Sequence, residues 1–101
     1  MKTVTICGSM RFSSEMKRIA FELESSRGYN VLQCAYNELN LEITPSMREN
    51  LERAHLKKID QSDGIYVVDI GGYTGNSVRR EIAYARSRGK EILLHSEAAI
   101  I

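Results

Sequence analysis

Apolar residues along the chain fall into four short runs that are separated by longer stretches with a helical pattern. The runs are Thr3 to Cys7, Tyr29 to Ala35, Ile65 to Ile70 and Glu91 to His95, and each indicates a β-strand. Between them, apolar residues recur three or four positions apart, as they do on one face of a helix. The pattern predicts strands and helices in the order βαβαβαβ.

Residues that commonly begin or end helices bracket each helical stretch. The expected first and last positions are Ser13 and Gly28, Thr44 and about Gln61, and Ser77 and Gly89. Thr44 is expected to cap the second helix, with Pro45 at its first position, and Ser77 to cap the third. The polar stretch from Asn37 to Glu42 is expected to be a loop.

The third strand decides the architecture. Ile65 to Ile70 is almost continuously apolar, which indicates a central strand that is covered on both faces. Strands separated by helices pair in parallel through right-handed crossovers. The predicted fold is an α/β three-layer sandwich around a small doubly wound parallel sheet of about four strands, in flavodoxin-like or Rossmann-like order. Residues 1–101 are expected to form a single domain.

Charge and composition limit the partners. The chain has 14 basic and 13 acidic residues, a net charge of +1, and no long block of either sign, so neither nucleic acid nor a membrane is expected as a partner. A small molecule is the expected ligand. No targeting segment or membrane span is evident, so a cytoplasmic protein is expected. Cys7 and Cys34 lie in apolar runs and are interpreted as reduced core thiols, with no metal or cofactor predicted.

Two turns are expected to meet at the carboxyl edge of the sheet, where such folds bind ligands. Gly8, Ser9 and Arg11 follow the first strand and could bind phosphate or carboxylate; Arg11 could equally be a solvated side chain. After the third strand, Asp69 could bind ribose hydroxyls or cap the loop. The loop itself, with Gly72 and Tyr73, offers backbone N–H groups for an anion or a sugar hydroxyl.

Two further side chains are candidates for chemistry. Glu81 is expected in the first turn of the third helix, at the border of core and solvent, where the helix dipole favours its ionised form. On spacing alone it could be only a helix-start acid. His55 lies between Leu51 and Ile59 on the face expected to pack on the sheet, where a histidine is commonly a hydrogen-bonded core or interface residue.

Five segments together resemble the nucleoside 2-deoxyribosyltransferase superfamily over nearly the whole chain. They are Ile6 to Arg11, Ile59 to Asp63, Val67 to Asp69, Glu81 to Ala85, and Gly89-Lys90. The turn Cys7-Gly8-Ser9-Met10-Arg11 is most similar to that of the deoxynucleoside 5'-monophosphate N-glycosidases, where it lies by the 5'-phosphate. The resemblance implies that Glu81 is a nucleophile that attacks the anomeric carbon and displaces the base.

The resemblance also implies roles for the other candidates. Gly8, Ser9, Arg11 and Ser77 would hold the sugar or phosphate, and Asp69 the ribose. His55 occupies the position of a family aspartate and could act as acid/base, because its unperturbed pKa lies near neutrality. A neighbouring subunit often helps to close the site in this family, so a homodimer or higher homo-oligomer is implied.

Thr5 stands where the family commonly has a tyrosine, and the usual Glu-Leu-Gly-Tyr-Ala reads Glu-Ile-Ala-Tyr-Ala from Glu81. These differences leave two alternatives to an N-glycosidase or deoxyribosyltransferase. One is a nucleotide-binding or sensing domain without turnover. The other is a phosphoribohydrolase of the Lonely Guy type, which also pairs an early Gly-Ser turn with a Gly-Gly loop and a following glutamate.

Overall fold

A computed structural model describes residues 1–98 and has the α/β fold that the sequence predicts. Its four strands are β1 (Thr3–Gly8), β2 (Asn30–Leu32), β3 (Gly64–Val68) and β4 (Glu91–Leu94). All strand pairs are parallel, in the spatial order β2-β1-β3-β4. From β1 the chain first adds β2 on one side and then crosses back to add β3 on the other side of β1. The position between β1 and β3 is therefore the switch point of the sheet.

Three helices cover the sheet, and they divide between its two faces. They are α1 (Ser13–Arg27), α2 (Pro45–Asp60) and α3 (Asn76–Ser87). Side chains alternate along each strand, so Val4 and Ile6 of β1 pack in one core with α1. Cys7, the next residue on that strand, packs in a second core with Ile59 of α2 and Val78 of α3. The molecule is therefore a three-layer α/β sandwich, as predicted.

The first two helices have the predicted ends. Thr44 caps α2, because its hydroxyl accepts a hydrogen bond from the Met47 N–H at 3.1 Å, and Pro45 is the first helical residue. Gly28 ends α1 with a φ of 70°, in the left-handed region that glycine enters without steric strain. Local capping chemistry was sufficient to place these boundaries.

The start of α3 differs from the prediction. The helix begins at Asn76, and its cap is Gly75, which has no side chain to donate or accept. Ser77 therefore lies inside the helix, where its hydroxyl accepts from Arg80 Nη2 at 3.3 Å. Glu81 is the sixth residue of α3 rather than part of its first turn. It therefore lies beyond the first turn, within which the helix dipole acts most strongly.

Three strands are shorter than predicted, and one of them, β4, ends at Leu94, one residue before the expected end at His95. Only residues Asn30–Leu32 of the second apolar run pair with β1, so β2 has three residues and the chain then leaves the sheet. Strand β3 ends at Val68, because Asp69 leaves the extended conformation and a 3-10 turn follows at Ile70–Gly72. A similar turn, Met10–Phe12, follows β1.

Candidate functional site

A cavity of about 360 Å³ opens at the carboxyl edge of the sheet, on the face covered by α2 and α3. The end of β1, the segment after β2, α2 from Arg48 to Lys58 and the first half of α3 all contribute to the cavity walls. Among its lining residues are four that the sequence predicted, namely Gly8, His55, Ser77 and Glu81. The switch-point topology brings these positions together although they are far apart in the chain.

His55 and Glu81 are in contact inside this cavity. His55 Nε2 lies 3.3 Å from Glu81 Oε1, and the two side chains are 11% and 18% exposed. His55 reaches the cavity because it lies on the buried stripe of α2, one turn before Ile59. The two residues that the sequence singled out for chemistry therefore face a common space.

Cys7 completes a cluster with these two residues. Its Sγ shares a 3.4 Å hydrogen bond with His55 Nε2, and the thiol is buried at the end of β1. Burial raises the pKa of Cys7 well above its ordinary value, and the carboxylate of Glu81 raises it further. The thiol is therefore protonated at neutral pH and is not a nucleophile.

One atom of the cluster has no partner in the protein. His55 Nδ1 is buried and has no hydrogen-bond partner among residues 1–98. An unsatisfied buried ring nitrogen costs about 1–3 kcal/mol, so native proteins rarely leave one without a functional reason. Within the described residues, His55 is therefore hydrogen-bonded through Nε2 but not through Nδ1.

Basic side chains form much of the remaining polar wall. Lys58 donates to the backbone carbonyl of Gln33 at 2.7 Å, and Arg80 Nε lies 3.8 Å from the carboxylate of Glu52. Arg48 lines the cavity as well, two turns before His55 on α2. A signal for Arg48 was available in the sequence, because positions 48, 52, 55 and 59 share one helical stripe. The predicted stripe of α2 comprised Leu51, His55 and Ile59 and did not include Arg48.

Five of the predicted binding residues lie outside the cavity lining, namely Ser9, Arg11, Asp69, Gly72 and Tyr73. The Arg11 guanidinium lies over the Tyr73 ring, 3.9 Å from its centroid, and the Ser9 hydroxyl accepts from the Arg11 backbone N–H at 3.4 Å. The Arg11 side chain therefore packs on Tyr73 at the surface and does not line the cavity.

Asp69 is also used within the fold. It is 5% exposed, and its carboxylate accepts hydrogen bonds from the Ser96 N–H at 2.8 Å and the Ser96 hydroxyl at 2.7 Å. These bonds fasten the segment after β4 to the end of β3. The Asp69 side chain does not cap the loop that follows it, as one interpretation of the sequence expected, and ribose binding stays a prediction.

Comparison with known proteins adds no assignment for this cavity. No protein-family model matches the chain, and no curated protein matches it. Within residues 1–98, none of the helices combines the length and the apolar character that crossing a bilayer requires. The side chains of the cavity are therefore the basis for a functional assignment.

Proposed function

We propose that this protein cleaves or transfers the N-glycosidic bond of a nucleoside or nucleoside 5'-monophosphate, with Glu81 as the nucleophile. One observation carries the proposal: the Glu81 carboxylate lies in a cavity of about 360 Å³ at the carboxyl edge of the sheet, in contact with His55. The volume lies within the range of small-molecule sites. The local resemblance to the deoxyribosyltransferase superfamily supports the same chemistry.

The reaction has two steps. A Glu81 oxygen forms a bond to the anomeric carbon while the bond to the base breaks, and the departing base takes up a proton. Water or a second base then attacks the anomeric carbon and releases Glu81. The negative carboxylate stabilises the oxocarbenium-like transition state, and the covalent ester divides one difficult step into two easier ones.

The contact between His55 and Glu81 bears on the role of the histidine. In retaining glycosidases the acid/base group and the nucleophile lie on opposite faces of the sugar, about 5–5.5 Å apart. His55 Nε2 is only 3.3 Å from Glu81 Oε1. This spacing supports a positioning role, in which His55 fixes the nucleophile, over the acid/base role that the resemblance implies.

The basic wall of the cavity supports a substrate with an anionic substituent. Arg48 and Lys58 lie on the same helix as His55 and line the same space. The 5'-phosphate of a nucleotide is one such substituent, and a guanidinium can bind it through two parallel hydrogen bonds. In this proposal Arg48, rather than Arg11, is the arginine that contacts the phosphate.

The exposed first half of α2 supports a homo-oligomer. Residues 44–54 are all exposed, and Met47 and Leu51 are each 42% exposed. Leu51 also lines the cavity, so a second copy on this surface would close the site. Light scattering should show at least a dimer, with Met47→Glu shifting the mass toward the monomer. A monomeric wild-type protein would contradict this part of the proposal.

The direct test is release of free base. Purified protein is incubated with each common nucleoside, deoxynucleoside and 5'-monophosphate, and the products are separated by liquid chromatography, with and without an acceptor base. Base release from at least one substrate is the expected result. Binding without any release would contradict the enzyme proposal and favour the nucleotide-binding alternative.

A further inference from the structure

We propose that Cys7, His55 and Glu81 form a binding site for a transition-metal ion of the Zn²⁺ class. One ligand atom from each residue can be chosen so that all three lie within 4.8 Å of one another. The sequence predicted no metal, because the three positions are 48 and 26 residues apart and match no metal-binding motif. The tertiary structure alone creates the cluster.

The distances fit tetrahedral zinc. Bonds of the usual lengths at a tetrahedral angle place a thiolate sulfur and an imidazole nitrogen about 3.5 Å apart, and an imidazole nitrogen and a carboxylate oxygen about 3.3–3.4 Å apart. The corresponding distances are 3.4 Å between Cys7 Sγ and His55 Nε2, and 3.3 Å between His55 Nε2 and Glu81 Oε1. Two of the three pairs therefore have the spacing of tetrahedral zinc ligands, and the third pair, Cys7 Sγ and a Glu81 oxygen, lies within 4.8 Å.

A metal ion would replace protons that hold this cluster together without it. His55 Nε2 faces both Cys7 Sγ and Glu81 Oε1, and either the ring N–H or the Cys7 thiol can donate to the carboxylate. A cation between the three atoms would bind all of them, with the thiol losing its proton.

The ligand chemistry selects the class of metal. Thiolate is a soft ligand and imidazole an intermediate one, so the set excludes Mg²⁺ and Ca²⁺ and suits Zn²⁺ or Co²⁺. Three protein ligands leave a fourth position for water or substrate, here toward the cavity. The ligands come from β1, α2 and α3, which hold them rigidly in three packed elements.

The surroundings of His55 limit the expected affinity. A metal-bound histidine normally donates its other ring N–H, and loss of that partner weakens metal binding by roughly 10–100-fold. His55 Nδ1 has no such partner within residues 1–98. We therefore expect a site weaker than those of structural zinc proteins, suited to reversible occupation.

Occupation of this site would oppose the proposed reaction. A metal ion on Glu81 neutralises the carboxylate that attacks the sugar, so Zn²⁺ should inhibit base release. This consequence, unlike the site itself, rests on the proposed function. The metal-binding experiment therefore uses no substrate.

The experiment titrates chelator-treated wild-type protein with Zn²⁺ by calorimetry and with Co²⁺ by absorption spectroscopy. We expect one ion per chain, a near-ultraviolet charge-transfer band from thiolate to Co²⁺, and the intense visible bands of tetrahedral coordination. Cys7→Ser and Glu81→Gln should each weaken binding by at least about 100-fold, and Cys7→Ser should remove the charge-transfer band.

The chain offers close controls, because it has only one other cysteine and one other histidine. Cys34→Ser, which changes a thiol in the wall of the same cavity, and His95→Gln should bind like wild type. Circular dichroism checks the fold of each variant. If Cys7→Ser does not fold, the Glu81→Gln variant carries the test, because Glu81 is more exposed than Cys7. The proposed site would be overturned if the wild-type protein bound no stoichiometric metal. It would also be overturned if Cys7→Ser and Cys34→Ser lost the same metal affinity. Base release by a protein that binds no metal would leave the proposed function intact.

Discussion

Two regions at the carboxyl edge of the sheet use similar residues in opposite ways. In the surface turns after β1 and β3, Arg11 lies on Tyr73 and Asp69 accepts two hydrogen bonds from Ser96. In the cavity under α2 and α3, His55 Nδ1 has no partner within residues 1–98, and His55 Nε2 faces two groups. In the first region the Asp69 carboxylate is bound within the fold, whereas in the second a buried ring nitrogen is left for a ligand to bind.

The largest expected effect separates two carboxylates of the cavity, Glu81 and Glu52. Glu81→Gln should reduce base release by on the order of 10³-fold or more, since it removes the nucleophile. Glu52→Gln, a matched change in the wall of the same cavity, should cause a loss below about 10-fold. The measurement is the initial rate of base release by each folded variant. A Glu81→Gln protein with most of its activity would exclude Glu81 as nucleophile.

His55 is expected to give the next largest effect, and the choice of substrate distinguishes its two roles. His55→Ala should reduce base release by about 10²-fold or more, as is usual when a catalytic or positioning group is lost. If His55 donates the proton, a nucleoside whose base is already cationic, such as 7-methylguanosine, should restore the rate. If His55 positions Glu81, the loss should persist with that substrate, which is the result we expect. Full recovery would establish the acid role.

The two arginines provide a smaller effect on substrate binding. Arg48→Ala should raise KM for a 5'-monophosphate by about 10–100-fold relative to the matching nucleoside, which corresponds to loss of a charge-assisted hydrogen bond. Arg11→Ala should change that ratio by less than about 3-fold, because its guanidinium lies over Tyr73 outside the cavity. A larger effect on KM from Arg11→Ala than from Arg48→Ala would place the phosphate at the turn after β1, as the sequence implied.

The smallest expected effect is on stability. Asp69→Ala should lower the free energy of unfolding by about 1–3 kcal/mol, since it removes two hydrogen bonds that a carboxylate accepts from Ser96. Ser96→Ala removes only the hydroxyl bond and should cost about 0.5–1.5 kcal/mol. Urea denaturation measures both values. An unchanged stability of Asp69→Ala, together with weaker nucleoside binding, would instead support the ribose-binding interpretation.

Local sequence was a good guide wherever neighbouring residues determine the structure. The cap at Thr44 and the end of α1 at Gly28 follow from short-range chemistry, and both are present. The start of α3 was wrong because Ser77 is a good cap by residue type, whereas the chain uses the backbone of Gly75. β2 is shorter than its apolar run because the length of a strand also depends on its neighbour, which offers β2 only three pairs.

The sequence by itself determined the alternation of strands and helices, the central position of β3, and the choice of Glu81 and His55 as unusual residues. Periodicity and capping act over a few residues, so a single chain displays them directly. Only the tertiary structure decided that Cys7 joins these two residues, that Arg48 enters the cavity, and that Arg11 and Asp69 are occupied elsewhere. Those relations depend on which strand ends and helix faces meet, and no spacing along the chain encodes that.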